Sequence, residues 1–406
     1  MRGSAEEISD SRPPLDGVTV LDLGQIYNGP YCSLLLAQLG AHVIKIEPLE
    51  GEHTRRRSPA GEPYPLIMLS SNKKGLSLDL KNPRGRELFI DLVRTADVVV
   101  ENFSRGAMDR LGCGYDTLAQ ANPRLVMAAA RGYSGQGPWA SAPAMDLAVQ
   151  AMSGVMSATG FPDGPPVKSG GALCDIIGGV TLALAVVSCL FERERSGRGQ
   201  FVEVPMLDAT LPTLTSPLAG FFESGGNLPE RTGNRHGGLA VAPYNVYRCQ
   251  DGWLAIFCAR EPHWQQLART LGHPELAEDP RYASMPLRAA RMEEVDGLVT
   301  AWTSPRTRAE AAETLIAEGI PCAPVRGITE IIEDASLRES GALAEIMHPA
   351  LGPVRVFGSP FRLSRSAGVP LTPAPTLGQH TREVLRDELG LSAEEIDSLL
   401  RERVIA

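Results

Sequence analysis

Asp175 stands where a run of small residues, Ser169-Gly170-Gly171-Ala172-Leu173-Cys174, gives way to an apolar stretch from Ile176-Ile177-Gly178-Gly179-Val180 to Phe191. The apolar stretch reads as a helix, which places the carboxylate at its start. Free backbone N–H groups and the positive end of the dipole favour negative charge there, and the glycines on either side let a bulky partner approach closely. Such a carboxylate can act as a nucleophile. It can equally serve only as a cap, because Asp is a preferred N-cap residue.

Other side chains with chemical potential are scattered. His236 follows Asn234-Arg235 and precedes Gly237-Gly238; with Arg235 it could hold a carboxylate, as paired cations do, or it could be a structural hydrogen-bonding residue. His263, His273 and His348 lie singly without metal-ligand spacing, so no metal is expected. Seven cysteines, Cys32, Cys113, Cys174, Cys189, Cys249, Cys258 and Cys322, form no CxxC pair and are odd in number, which suggests neither a disulfide framework nor zinc. Cys174 reads as a small buried residue.

A net charge of −9, with both signs interspersed, argues against nucleic acid as a partner. The segment Met1-Arg2-Gly3-Ser4-Ala5-Glu6-Glu7 lacks an apolar signal core, and no apolar run is read as approaching the roughly 20 residues of a membrane span. A cytoplasmic protein without a membrane partner is the expectation.

The elements that must position Asp175 follow from periodicity. Val18 to Leu23 reads as a buried strand, Tyr31 to Leu39 as a helix and Ala41 to Glu47 as a strand. A helix from Pro83 to Arg94, the strand Asp97 to Glu101, a helix near Tyr115 to Gln120 and the strand Arg124 to Ala130 continue the alternation. It implies a parallel sheet covered on both faces, with ligands at the carboxyl ends of its strands. No GxGxxG occupies the first turn, which counts against a dinucleotide site.

From Ser224 to Gly238 the chain turns Gly-, Asn- and Arg-rich, and Tyr244 to Cys249 and Trp253 to Cys258 flank the hairpin signal Gln250-Asp251-Gly252. Helices are expected at Glu261 to Thr270, Leu287 to Trp302 and Arg306 to Ala317. Pro321 to Val325 and Pro353 to Phe357 read as strands leading back to the main body, and helices at Gly378 to Glu388 and Ser392 to Glu402 end the chain. The expected organisation, for a chain of 406 residues, is α/β: a Rossmann-like large domain in residues 1–223, a smaller α+β domain in 224–330, and a return segment, 331–406, that completes the large domain.

Several motifs occur in an order that resembles the class III coenzyme A transferases, a family that includes formyl-CoA and carnitine CoA-transferases and alpha-methylacyl-CoA racemases. They are Gly29-Pro30, Leu39 to Pro48, Ser71-Asn72-Lys73-Lys74, Leu78-Asp79-Leu80-Lys81, Val100-Glu101-Asn102-Phe103, Asn122-Pro123-Arg124-Leu125, Asp175 to Gly179, Glu194 to Val202 and Met206 to Ala209. The resemblance implies an interlocked-ring homodimer and acyl-CoA plus a small organic acid as substrates, with no permanently bound cofactor. Asp175 would be the nucleophile, forming a mixed anhydride and then an aspartyl-CoA thioester.

The same resemblance places CoA contacts at Tyr27, Asn28, Leu78, Lys81, Asn102, Phe103, Ser104, Arg110, Met145 and Asp146. Gly178 and the loop His236-Gly237-Gly238 would offer backbone donors to an oxyanion or contact the acceptor acid. Two positions depart from formyl-CoA transferases: Pro48 and Pro143 stand where those enzymes carry an arginine and a lysine, so phosphate contacts must come from elsewhere, with Arg55 to Arg57 as candidates. Ala144-Met145-Asp146 lacks the histidine of the racemase branch, which needs a base on each face of a carbon. CoA transfer, from succinyl-CoA or a similar donor to a small carboxylic acid, a dicarboxylic one by preference, therefore ranks first. A 2-methylacyl-CoA epimerase and a non-catalytic CoA-binding protein are the alternatives.

Overall fold

The computed structural model describes residues 12–57 and 62–406, so the Met1 to Glu7 segment lies outside the described residues. Strands β1 (Thr19–Asp22), β2 (His42–Glu47), β3 (Lys73–Ser77), β4 (Val98–Glu101), β5 (Val126–Arg131) and β6 (Phe201–Pro205) form one parallel sheet in the order β3-β2-β1-β4-β5-β6. Alternate side chains part to its two faces, as the pleat requires. Leu21, Ile44 and Val99 pack with the Pro83–Val93 helix and the carboxyl-terminal helices Thr381–Leu389 and Ala393–Arg401. Val20, Val43, Val98 and Val100 pack with the helices Asn28–Gln38 and Leu173–Ser196. Burial on both faces explains why these strands are continuous apolar runs.

Strands β3 and β6 were not expected from sequence. β3 carries Lys73, Lys74 and Gly75, and the edge strand β6 ends in Pro205, so neither shows the usual strand composition. The first helix begins at Asn28, three residues before its expected start at Tyr31. Gly29 and Pro30 occupy its first turn, where a missing N–H costs no helical hydrogen bond. The Leu173–Ser196 helix corrects the expectation about apolar runs: its 24 residues are long and apolar enough to cross a membrane by length and composition, and half of that stretch is buried. It ends at Gly197, whose φ of 72° is the left-handed conformation that closes helices.

Two compact units emerge: residues 1–149, 172–210 and 334–406 in one, and 150–171 and 211–333 in the other. The second unit thus takes in 150–171 and 211–223, beyond the 224–330 boundaries drawn from sequence. Its antiparallel sheet contains β7 (Tyr244–Cys249), β8 (Gly252–Phe257) and β9 (Cys322–Pro324), packed on helices through Trp264, Leu267, Val295, Val299 and Leu315. β9 pairs with β8 instead of leading back to the main sheet, a correction to the reading of Pro321 to Val325. The helix expected at Leu287 to Trp302 is two, Met285–Ala289 and Met292–Thr303, parted where Arg291 leaves the helical conformation (φ −120°, ψ 30°); buried Arg288 fixes the first to the Ala242 and Tyr282 carbonyls and to Glu261. In the first unit, β10 (Leu343–His348) and β11 (Gly352–Phe357) form a two-stranded hairpin.

Candidate active site

The chain leaves β1 toward β2 on one side while β4 lies on the other, so a crevice opens at the carboxyl ends of β1 and β4, the switch point where α/β sheets bind ligands. Asp22, the last residue of β1, is fully buried and organises the turn that follows. Its Oδ1 accepts from the Gly24 N–H at 2.8 Å, and its Oδ2 accepts from Ser33 Oγ at 2.6 Å and Lys73 Nζ at 2.9 Å. Lys73 Nζ also donates to the Pro30 carbonyl at 2.9 Å, and Lys45 Nζ to that of Gly24 at 2.9 Å. Burial alone would raise the Asp22 carboxyl, but Lys73 and Lys45 beside it hold it below its usual value. Lys73, from the unexpected strand β3, therefore anchors the first turn of the Asn28–Gln38 helix, and Lys45, from β2, holds the turn that leads into it.

Asn102, just past β4, clamps the same turn from the other side: its Oδ1 accepts from the Gln25 N–H and its Nδ2 donates to the Gln25 carbonyl, each at 2.8 Å. Next to it Ile26 takes a left-handed φ of 68°, a strained conformation for a β-branched residue, with its N–H donating to Glu52 Oε2 at 3.1 Å. A cavity of about 340 Å³ opens here, walled by Gln25, Ile26 and Asn28 after β1, Asn102 to Arg105 after β4, Ala130 to Tyr133 at the end of β5 and just past it, the segment Ala140 to Met145, and Asp175 and Met206. Arg105 and Arg131 in its wall are tied to Glu203 and Glu101, so their charges are largely compensated.

Asp175 lies in the first turn of the Leu173–Ser196 helix and is 8% exposed. It does not cap that helix. Asp146 Oδ1 does so, accepting from the N–H of Cys174 at 2.8 Å and of Asp175 at 3.2 Å. Among the described residues no side chain donates a hydrogen bond to the Asp175 carboxylate or pairs with it. Burial, and to a lesser degree the Asp146 charge, push its carboxyl up to about 7. A carboxylate so poorly solvated, at a cavity wall, can attack an electrophilic carbon or take up a proton.

A second cavity, of about 420 Å³, shares Gln25 and Phe103 with the first. Its walls include Glu47, Pro48, His53, Arg56, Leu78, Leu80 and Lys81. Arg55 is not available there: it is buried, donating to Glu47 Oε2 at 2.7 Å, Glu62 Oε1 at 3.0 Å and the Pro375 carbonyl at 3.0 Å. Arg56 is exposed and pairs with Glu50 at 3.3 Å. The basic run is thus divided between a structural residue and a wall residue.

Comparison with known proteins decides the kind of enzyme to which this geometry belongs. Residues 15–381 match CoA-transferase family III. The chain belongs to that family. It is 38% identical to a formyl-CoA:oxalate CoA-transferase of Streptomyces coelicolor, over 96% of this chain and 99% of the relative, and 35% identical to one of Rhodopseudomonas palustris, over 94% and 95%. A CAIB/BAIF family protein from Brucella suis superposes with a TM-score of 0.80 at 31% identity, covering 93% of this chain and all of that one. A mutant of Rv3272 from Mycobacterium tuberculosis superposes at 0.82 with 30% identity and the same coverage.

Against that family background, the structure gathers Asn28, Asn102, Phe103, Ser104, Met145 and Asp175 at the first cavity, and Leu78, Lys81 and Phe103 at the second. Tyr27 lines neither; it precedes the helix as its N-cap residue, and Gln25 and Ile26 form the wall instead. Arg110 is exposed and lines neither cavity, although its neighbour Leu111 lines the second. Asp146 is spent on the helix end and does not line the cavity. Gly178, expected as an oxyanion donor, lies in the second turn, inside the helical hydrogen-bond ladder. What it supplies is room: a Cβ there would collide with Asn28 Nδ2 and lie 3.1 Å from Met206 Cγ.

His236, Gly237 and Gly238 belong to the second unit, where His236 Nδ1 accepts from the N–H groups of Gly238 at 3.2 Å and Ala240 at 3.4 Å. Arg235 there donates to Asp296 at 2.8 Å. Sequence reasoning missed Gln25, Ile26, Arg105 and Arg131. Their signal was position: each lies at or just past the carboxyl end of a sheet strand.

Proposed function

We propose that the protein moves CoA from an acyl-CoA donor to a small carboxylic acid, preferentially a dicarboxylic one, with Asp175 carrying the transferred groups. The Asp175 carboxylate attacks the thioester carbon, the C–S bond breaks and CoA leaves as thiolate, forming a mixed anhydride. The thiolate then attacks the Asp175 acyl carbon and the donor acid departs, giving an aspartyl-CoA thioester. The acceptor carboxylate and the thiolate repeat the two exchanges in reverse order, and Asp175 returns as carboxylate. Every step exchanges one acyl bond for another, with no net oxidation.

The observation that carries this reading is the buried, weakly solvated Asp175 carboxylate in the wall of the switch-point cavity. The adjoining cavity offers His53, Arg56 and Lys81 to the phosphate-bearing nucleotide end, among the carboxylates Glu47, Glu50, Glu52 and Asp79, and Arg56, on leaving Glu50, would replace the phosphate contacts absent at Pro48 and Pro143. Among the described residues of the first cavity's wall there is no histidine and no second carboxylate, which supports transfer over racemisation, since racemisation needs two bases. The relatives' names bring formyl-CoA and oxalate to the head of the substrate candidates, beside succinyl-CoA as donor. A homodimer belongs to the same proposal; large apolar side chains left exposed by the single chain, such as Leu184, Phe191 and Phe222, support it.

Incubating the protein with formyl-CoA or succinyl-CoA and a panel of mono- and dicarboxylic acids, oxalate included, and identifying products by mass spectrometry tests the proposal. A new acyl-CoA formed from one of the acids, at the expense of the donor, is expected. Failure of every donor and acid pair to exchange would overturn it.

A further inference from the structure

We propose that the Asn28 side-chain amide is the hydrogen-bond donor to the acyl oxygen of Asp175 during transfer, an inference that rests on the nucleophilic role just proposed. Asn28 is 2% exposed, and its Nδ2 and Oδ1 are both buried without a hydrogen-bond partner. An orphaned buried polar group is destabilising, and native folds leave few of them. This one lies in the cavity wall with Asp175 and Met206.

The surroundings keep that amide in place. Opposite Nδ2 stands Gly178, the position where any Cβ would collide with it. Gly178 follows Asp175 by three residues in one helix, so both lie on the same helical face, one turn apart. The amide therefore packs against the face that bears the carboxylate. Asn28 begins its own helix, whose first turn is pinned by Lys73 donating to the Pro30 carbonyl at 2.9 Å. Sequence resemblance had placed Asn28 among CoA contacts; the burial of its amide directs it to the reacting group instead.

The chemistry needs such a donor twice. When thiolate adds to the Asp175 acyl carbon of the anhydride, or a carboxylate adds to that of the thioester, the Asp175 carbonyl oxygen becomes an alkoxide. The Asn28 Nδ2–H group bonds to that oxygen and keeps its proton. Collapse of the intermediate expels carboxylate in the first case and thiolate in the second. A donor fixed in advance and shielded from water stabilises developing charge without reorganising.

Wild type, Asn28→Ala and Asn28→Leu are compared by steady-state kinetics, by denaturation, and by the mass of the Asp175 peptide after acid quench with acyl-CoA. The expected result is a fall in kcat on the order of 100-fold to 1000-fold. KM for acyl-CoA should be little changed, and Asn28→Leu should be as stable as wild type or more so, because the orphaned amide is gone. A structural role predicts the opposite stability change. Unchanged kcat, or a kcat loss that tracks lost stability and lost CoA binding in both variants, would overturn the inference while a CoA adduct on the wild-type Asp175 peptide still upheld the nucleophile. Absence of that adduct in wild type would remove the nucleophile reading and this inference with it.

Discussion

Asp146 caps the helix that carries Asp175, accepting the Asp175 backbone N–H at 3.2 Å through the same oxygen that takes the Cys174 N–H at 2.8 Å. The arrangement has two effects on one residue. It secures the backbone beneath the Asp175 carboxylate, and it brings a second negative charge close enough to raise that carboxyl.

The two effects separate by substitution. Asp146→Asn retains an oxygen to cap the helix but removes the charge, so the acidic limb of kcat/KM, expected near pH 7 in wild type, should move to lower pH. Burial, the larger cause, remains, so the limb should not reach the usual carboxylate range. Asp146→Ala loses the cap as well and should cost about 1 kcal/mol of stability. Activity against pH, with denaturation of each variant, checks both outcomes.

The raised carboxyl also links stability to pH. Asp175 holds its proton in the folded state up to about pH 7 but releases it near the ordinary aspartate value of 3.8 when unfolded. Between those values the folded chain binds more protons, so the Asp175 contribution to stability falls as pH rises and is flat above the window. Asp175→Asn lacks this pH dependence. Urea denaturation of both proteins at pH 5 and pH 8 should show the variant gaining stability relative to wild type at the higher pH.

Lys73→Met tests the anchor under the first turn. It leaves the Asp22 carboxylate buried without its lysine, and breaking one partner of a buried pair typically costs about 3–5 kcal/mol. The midpoint in urea should drop accordingly. Lys74, partly exposed in its pair with Glu383, should matter far less on replacement.

Arg56→Ala and Lys81→Ala address the second cavity. If it takes the phosphate-bearing end of CoA, each change should raise KM for acyl-CoA with kcat nearly constant, because binding away from the reacting bond is lost equally in ground and transition states. The effect should shrink at high salt. Initial-rate kinetics at two ionic strengths measure it.

Much of this was legible in the sequence where the determinant is local. The small-residue run before an apolar helix exposes Asp175, and the apolar strands β1, β2, β4 and β5 declare a parallel sheet. β3 and β6 escaped because Lys73 and Lys74, Gly75 and Pro205 are not strand-like; Lys73 is tolerated through distant partners, Asp22 above all, 51 residues away. For the same reason Asp146 could not be read as a cap of the Asp175 helix, since the N–H groups it accepts lie 28 and 29 residues along the chain. Arg55 looked like a phosphate ligand until Glu47 and Glu62 closed around it. Asn28 and Gly178 have meaning only as a pair, and no spacing rule links residues on different helices.

The most direct measurement is the mass of the Asp175 peptide after wild-type protein is mixed with acyl-CoA and quenched in acid. The account predicts a CoA adduct on that peptide, lost on treatment with hydroxylamine and absent from Asp175→Asn, which should still bind CoA. Transfer activity retained by Asp175→Asn, or an adduct on a different peptide, would contradict it.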